Sequence, residues 1–280
     1  MKKIAVLFST ALLMTFTLTV QAAPAYRPHF LPNALFFYED FVYTNGPLVG
    51  QGGWAAHSGA GNKAIQVSSE TITLNQGSGS GEDVNLTFPA TTASDTTYYG
   101  LDLTLPSGQT TNPANGLYFI HFNSVNNHRA RVFVVAPTGG GDFGLAISAD
   151  SSTPSATWAS DLDFDTTYRI VASYNAATGE SKLWVDPVNE ASLHVSHTGT
   201  AGTTFDSLSL RQSTEYTGNQ ILDNIKVGTT FDDVPTKVGL QSVQTENAST
   251  AVPFIPTFIL SMLTAFVLIK RPLAPRRKTL

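Results

Sequence analysis

Between residues 36 and 234 the chain repeats one pattern, a short apolar or alternating run followed by a cluster of Gly, Ser, Thr, Asn or Pro. No stretch of this region carries a 3.6-residue period long enough to give a helix an apolar stripe to bury. Runs of this kind, separated by turn residues, are strands. They fall near Phe36–Tyr43, Lys63–Val67, Ile72–Leu74, Val84–Phe88, Tyr98–Leu105, Gly116–Phe122, Arg129–Val135, Gly144–Ser148, Thr167–Tyr174, Ser181–Val185, Phe205–Leu210 and Gln220–Val227. The connectors are rich in Gly, Ser or Pro, as in Gly77-Ser78-Gly79-Ser80-Gly81 and Pro137-Thr138-Gly139-Gly140-Gly141. Asn175-Ala176-Ala177-Thr178-Gly179 joins two strands by a loop ending in Gly, which predicts a hairpin. A dozen short strands predict one all-β domain, a two-sheet antiparallel β-sandwich long enough for a two-layer core.

Charge narrows what such a domain can meet. Only 13% of the 280 residues are charged, which argues against a coiled coil, a long bundle or a charge-rich tail. There is no cysteine, hence no disulfide framework, thiol nucleophile or thiolate-bound metal. The net charge of -5 conceals an asymmetry: all 21 Asp and Glu lie between Glu39 and Glu246, while seven of the 16 Lys and Arg sit at the two ends. The remaining nine cations against 21 acids leave the body at -12. A body of that sign repels phosphate, so nucleic acid is not an expected partner.

The ends read as addresses. Met1-Lys2-Lys3, an apolar run from Ile4 to Val20, and Val20-Gln21-Ala22 have the basic head, apolar middle and small-residue cleavage site of a secretory signal peptide. Cleavage is expected after Ala22, since a cut after Ala23 would leave Pro24 first. At the other end, Val252-Pro253-Phe254-Ile255-Pro256 leads into the apolar run Thr257–Ile269 and a tail holding Lys270, Arg271, Arg276, Arg277 and Lys278. Counted from Val252 to Ile269 the stretch is 18 residues, at the lower limit for a membrane span, and its basic tail should stay cytoplasmic. The five terminal charges count against a lipid-anchor signal. The expected organisation is a signal peptide and signal helix over 1–22, a linker over 23–35, the sandwich over 36–234, a polar linker over 235–251, and a sorting or transmembrane helix with basic tail over 252–280.

The proline-containing start, short span and arginine-rich finish resemble the C-terminal sorting signals of Gram-negative bacteria processed by exosortase-type membrane proteases, of which PEP-CTERM is one. No Glu stands between the prolines, a departure from that pattern. A simple single-span anchor that is never cut is the other reading. Either way the resemblance implies an exported protein of the bacterial cell envelope, outer surface or extracellular matrix, anchored at least transiently in the inner membrane, with an exosortase-type protease as partner.

Alternation shows what faces inward. In Phe205-Asp206-Ser207-Leu208-Ser209-Leu210-Arg211 the leucines share one face, and Ser207, Ser209 and Arg211 the other. In Ser181–Asp186, Leu183 and Val185 point one way, and Lys182, Trp184 and Asp186 the other. Trp184 is thereby a sugar-stacking platform or a ring packed under a loop. The run Trp158–Tyr174, the hairpin and Ser181–Pro187 resemble a concanavalin A-like or laminin-G-like jelly roll, as do Tyr38-Glu39-Asp40-Phe41, Gly50-Gln51-Gly52-Gly53-Trp54 and Ile221–Val227. The resemblance covers most of 36–234 through structural motifs. It implies a superfamily of lectins, adhesion modules and glycanases, among which fold alone does not choose.

The residues offer little familiar catalytic chemistry. Retaining glycanases of the resembling fold carry Glu-x-Asp followed closely by Glu, because hydrolysis needs two carboxyl groups converging on one bond. None of the seven glutamates falls in that pattern, and Glu82-Asp83 should point to opposite faces. His194 and His197 also fall on opposite faces of a strand, and the six histidines read as exposed polar residues. No nucleophile elbow, phosphate loop or His-Glu-x-x-His helix is present. The resembling sandwiches pair their first and last strands, which would bring Glu39 or Asp40 to Asp223 and Asn224 as oxygen ligands for a structural Ca²⁺. Asp161, Asp163 and Asp165 form a second candidate, with three carboxylates on one side of an alternating run, unless they are simply a solvated acidic loop.

The expectation is a non-catalytic sandwich for adhesion, matrix structure or glycan binding, with extracellular polysaccharide or surface matrix as partner. Trp54, Trp158, Trp184 and Tyr216 are the aromatic candidates for sugar contact. The alternative is a secreted polysaccharide hydrolase or lyase of the same fold. Two convergent carboxylates in a groove, or an acid beside Arg129 or Arg131, would mark it.

Overall fold

The computed structural model describes residues 35–77, 81–109, 117–125, 127–213 and 218–234. The expected signal peptide, the C-terminal sorting segment and Tyr216 lie outside the described residues.

In chain order the strands are Leu35–Glu39 (β1), Gly46–Pro47 (β2), Ala55–Ser58 (β3), Gln66–Ser68 (β4), Thr71–Gln76 (β5), Asp83–Thr87 (β6), Thr96–Thr104 (β7) and Leu117–Ser124 (β8). Then come Asn127–Val135 (β9), Gly144–Ser148 (β10), Ala156–Thr157 (β11), Thr167–Asn175 (β12), Glu180–Val185 (β13), Val195–Thr198 (β14), Ser207–Leu210 (β15) and Gly218–Gly228 (β16). They form two antiparallel sheets, the all-β sandwich that the strand pattern predicts. The nine-stranded sheet runs β14-β13-β12-β7-β16-β5-β4-β2, with β1 beside β16. The seven-stranded sheet runs β11-β10-β9-β8-β15-β6-β3. All twelve expected strands have a counterpart. The four strands that alternation missed are β2, β3, β11 and β14, two to four residues long and mostly exposed, so they carry no apolar face to detect.

The core lies between the sheets. Tyr99, Leu101 and Leu103 of β7 and Ile170, Ala172 and Tyr174 of β12 alternate inward, against Val84 and Leu86 of β6 and Leu208 and Leu210 of β15. Phe122 and Phe205 stack at its centre, with ring centroids 4.3 Å apart and planes 9° from parallel. The hairpin from β12 to β13 turns at Gly179, whose φ of 76° a side chain would strain. A Cβ there would also meet the Gly199 carbonyl oxygen at 2.5 Å.

A second apolar cluster covers the outward face of the nine-stranded sheet. Trp184, Tyr98 and Val171 lie beneath Phe231 and Val234, which follow β16 on a short 3₁₀ turn. Trp184 therefore points away from the core as alternation predicts, yet it is fully buried, because the chain after the last strand folds back over it.

Candidate functional site

Two bulges shape the outward face of the seven-stranded sheet. On β8, Tyr118 and Ile120 pair with the adjacent residues Phe133 and Val132, so Phe119 is the extra residue. On β9, Arg129 and Val132 span the interval that Phe122 and Ile120 span on β8, and Ala130 takes a left-handed φ of 49°. A bulge shifts which face later side chains take. Phe119 and Ile120 both reach the core as a result. Tyr118 and His121, three residues apart, come to the same outward face with ring centroids 5.4 Å apart. His128 joins them, its ring 4.4 Å from that of His121. The Tyr99 hydroxyl crosses the core to donate to the Ala130 carbonyl at 2.6 Å and so fixes the bulge.

Cations surround these rings. The Arg211 guanidinium lies 4.3 Å from the Tyr118 ring centroid and that of Arg131 5.1 Å from it, both within cation–π range. Arg129 turns aside, donating through Nε and Nη2 to Thr203 Oγ1 at 3.1 and 2.8 Å. His121 is 2% exposed, and neither ring nitrogen has a hydrogen-bond partner. Arg131 Nε, Arg211 Nη1, Ser209 Oγ and Asn123 Oδ1 are likewise buried and unpartnered. Burial first, and then the charges of His128, Arg131, His57 and Arg211, hold His121 well below the usual imidazole range. Burial and the neighbouring arginines push His128 down to about 4. Both imidazoles are neutral at pH 7 and can accept as well as donate a hydrogen bond.

The acids nearby are already engaged. Asp83 accepts from the Gln212 amide at 2.8 Å and the Ser58 hydroxyl at 2.9 Å, and burial raises it above the ordinary carboxylate value. Asp150 stands beside Arg131, the signal named for an enzyme, but its carboxylate takes the Thr200 amide and hydroxyl, each at 2.8 Å. Arg131 donates instead to the Asp150 carbonyl.

The expected sugar-stacking tryptophans are elsewhere and offer no open ring face. Trp54 is buried, stacked against Phe41, and donates through Nε1 to Glu39 Oε2 at 3.0 Å. Trp158 packs in the main core, and Trp184 in the outer cluster beside His194. His197 accepts from the Ala149 amide at 3.1 Å. The structure thus gives the tryptophans packing roles, Trp54 and Trp158 in the main core and Trp184 in the outer cluster.

The expected calcium ligands are partly brought together. β1 pairs with β16, Glu39 opposite Ile225, as the resemblance implies. Glu39, however, points inward and accepts from the Phe41 amide, the Tyr43 hydroxyl and the Trp54 ring. Burial raises its carboxyl above the ordinary value. On the outer face Arg169, Asp102 and Asp223 stand in register across β12, β7 and β16. Asn224 occupies a bulge at φ 50°, where its Nδ2 donates to Asp102 and Asp223 at 2.9 and 3.1 Å, and its Oδ1 accepts from Tyr38. Arg169 fills the centre, reaching the Val234 carbonyl, the Asn224 carbonyl at 2.8 Å and Asp102 at 3.3 Å. The residues do not fit a Ca²⁺ ion there: a guanidinium supplies the positive charge, and the Asn224 carbonyl groups already accept hydrogen bonds. The second candidate separates too. Asp161 caps Thr138 and Gly139, whereas Asp165 accepts from the Ser107 amide. Among the described residues no three His, Asp or Glu side chains converge so as to hold a metal ion.

The site residues that sequence reasoning passed over are Tyr118 and His121, because only the bulges unite them. Arg211 had a signal, since alternation already put it on the non-core face with Ser209.

No family model matches the chain, and no curated protein matches it. Among solved structures it is similar to a sialidase, with 13% identity over 70% of this chain and a TM-score of 0.45, although it spans only 19% of that protein. It is also similar to the CBM2 module of the evolved Dit of Lactobacillus casei BL23 phage J-1, with 12% identity over 70% of this chain and 95% of that one, TM-score 0.46. Peanut lectin gives 9% identity over 69% and 96% of the two chains, TM-score 0.45. At these identities the likeness is one of architecture, and function rests with the site.

Proposed function

We propose that this chain is an exported, concanavalin A-like sandwich of the bacterial surface or extracellular matrix that binds glycan on the outward face of its seven-stranded sheet. The observation that supports this reading is the half-buried Tyr118 ring set among buried polar atoms without partners, on His121, Arg131, Arg211 and Ser209. Native interiors seldom leave such groups unmet, and a ligand rich in hydroxyl groups can meet them while a sugar ring lies on the tyrosine. A Tyr118→Ala variant should lose binding by about 10-fold or more on a glycan panel, consistent with the worth of an aromatic platform. Its melting temperature should stay near that of the unaltered protein. If the unaltered protein retains no glycan, or Tyr118→Ala binds as well, the reading fails.

A polysaccharide lyase is the second reading, favoured over a hydrolase by one observation: a neutral His121 beside Tyr118, on a face whose nearest described acids, Asp83 and Asp150, are held by separate partners. An elimination would move a proton from the sugar carbon next to a carboxylate to the base, form a C=C bond there and expel the glycosidic oxygen, which takes a proton from water as it leaves. Ultraviolet absorbance of unsaturated sugar ends distinguishes this from binding alone.

Export and sorting belong to the same proposal. Intact mass from membrane and culture fractions should show a species beginning near Ala23 and lacking everything after about Thr250, as exosortase-type processing would leave. A membrane species that keeps Leu280 would make the tail a plain anchor.

A further inference from the structure

We infer that the ligand of the Tyr118–His121 face carries an anionic group, a carboxylate or sulfate ester on a polysaccharide, received by Arg131 and Arg211. The inference rests on that face being the glycan-binding face and adds the chemical class of the glycan.

Charge accounting comes first. The body holds nine cations among 21 acids, so each cation has acids to spare. Arg169 pairs with Asp102 and Lys182 with Glu180. Arg131 and Arg211 instead converge on one tyrosine ring, and each has a buried guanidinium nitrogen without an acceptor. Two like charges held together in a negatively charged protein repel one another unless something negative is expected between them.

The nearest carboxylates, Asp83 toward Arg211 and Asp150 toward Arg131, attract the arginines through space, but their oxygens bond to other groups. The Asp83 carboxylate is held by Gln212 and Ser58, and that of Asp150 by Thr200. Around Tyr118 the free groups are two guanidinium nitrogens, one imidazole N–H and the Ser209 hydroxyl as donors, with Asn123 Oδ1 and the other imidazole nitrogen as acceptors, and both of the charged groups are donors. A neutral sugar could meet the uncharged groups but brings no counter-charge to the two guanidinium groups. A carboxylate or sulfate is acceptor-rich and matches guanidinium geometry, and its sugar ring can lie against Tyr118. The bulges that turn Tyr118 and His121 to one face also keep Arg131 beside them, so the placement is built into the backbone.

The test is titration of the full-length protein with polygalacturonate, dextran sulfate, uncharged dextran and inorganic phosphate, at about 0.05 M and about 0.5 M NaCl. At low salt one of the acidic polymers should bind at least about 10-fold tighter than dextran, and the preference should shrink at high salt. Preference for polygalacturonate assigns a carboxylate, and preference for dextran sulfate assigns a sulfate ester. Arg211→Gln should lose about 10- to 100-fold toward the acidic polymer, as expected for a charged hydrogen bond, and so narrow the preference over dextran, with the melting temperature unchanged. Arg131→Gln serves as an independent second variant. Equal affinity for dextran overturns the inference while leaving the glycan-binding reading intact. Phosphate binding as tight as that of the polymers also overturns it, in favour of a small free anion. If nothing binds, the glycan-binding reading and this inference fall together.

Discussion

Asp223 shows how a single side chain is set by its neighbours. It lies opposite Asp102 across β16 and β7, and burial, followed by the charges of Asp102 and Asp40, pushes its carboxyl from 3.8 up to about 6. The folded state therefore prefers the protonated acid. Below about pH 4 the group is protonated folded or unfolded and costs nothing; as pH rises to about 6 the unfolded chain releases its proton more readily, and stability falls. Asp223→Asn keeps an oxygen for the Asn224 amide and removes the charge. It should raise stability by on the order of 1 kcal/mol at pH 7, after allowance for solvent screening, with the gain gone by about pH 4. Urea denaturation at the two pH values checks this, and a loss of stability at pH 7 would contradict it. Arg169, fully engaged in the same cluster, would not tolerate the same treatment, because removing it leaves Asp102 buried without its cation.

At the scale of elements, β7 is the strand on which both faces depend. Its inward residues build the core, while its outward residues Tyr98, Gly100 and Asp102 accommodate Trp184, Arg169 and the returning chain. Gly100 is there for space rather than for φ. A Cβ would stand 2.5 Å from the Val234 carbonyl oxygen and 2.7 Å from Arg169 Nη2. Gly100→Ala should therefore cost about 2–3 kcal/mol by overpacking and by disturbing a buried ion pair. The urea midpoint should fall at constant m-value; a midpoint unchanged within error would show that the returning chain can yield. The bulges in β8 and β9 are the corresponding device on the other sheet, where an extra residue per strand re-aims side chains without breaking the pairing.

For the whole molecule, the sandwich does not close at its last strand. Phe231 and Val234 cover Trp184, and the Val234 carbonyl accepts from Arg169, so the few residues after β16 act as part of the fold. A chain ending at Gly228 should lose roughly 3–5 kcal/mol, from an uncovered tryptophan and a buried guanidinium short of an acceptor. A chain ending at Gly239 keeps the covering contacts, which end at Val234, and should melt where the longer protein does. Calorimetry of the two truncations decides, and equal melting would remove the strap from the stabilising contacts.

The sequence by itself determined the architecture. Period-two alternation, turn residues and the absence of a helical stripe are local properties, and they settle an antiparallel sandwich because each strand carries its own inward face, as in Ser207–Leu210. Short edge strands such as β3 and β14 escaped, having no buried face to mark them. What faces a ligand was decided only in three dimensions. Tyr118 and His121 read as opposite-facing at a spacing of three, and the extra residue in β8 reverses that. The tryptophans read as candidate sugar contacts, with packing under a loop the other reading for Trp184; Trp54 donates to the buried Glu39, and Trp184 lies under residues about fifty positions later in the chain. The acidic set expected to hold calcium is instead balanced by Arg169, which alternation alone does not bring to Asn224. Backbone pattern is written residue by residue, whereas the partner of a buried charge depends on which strands become neighbours.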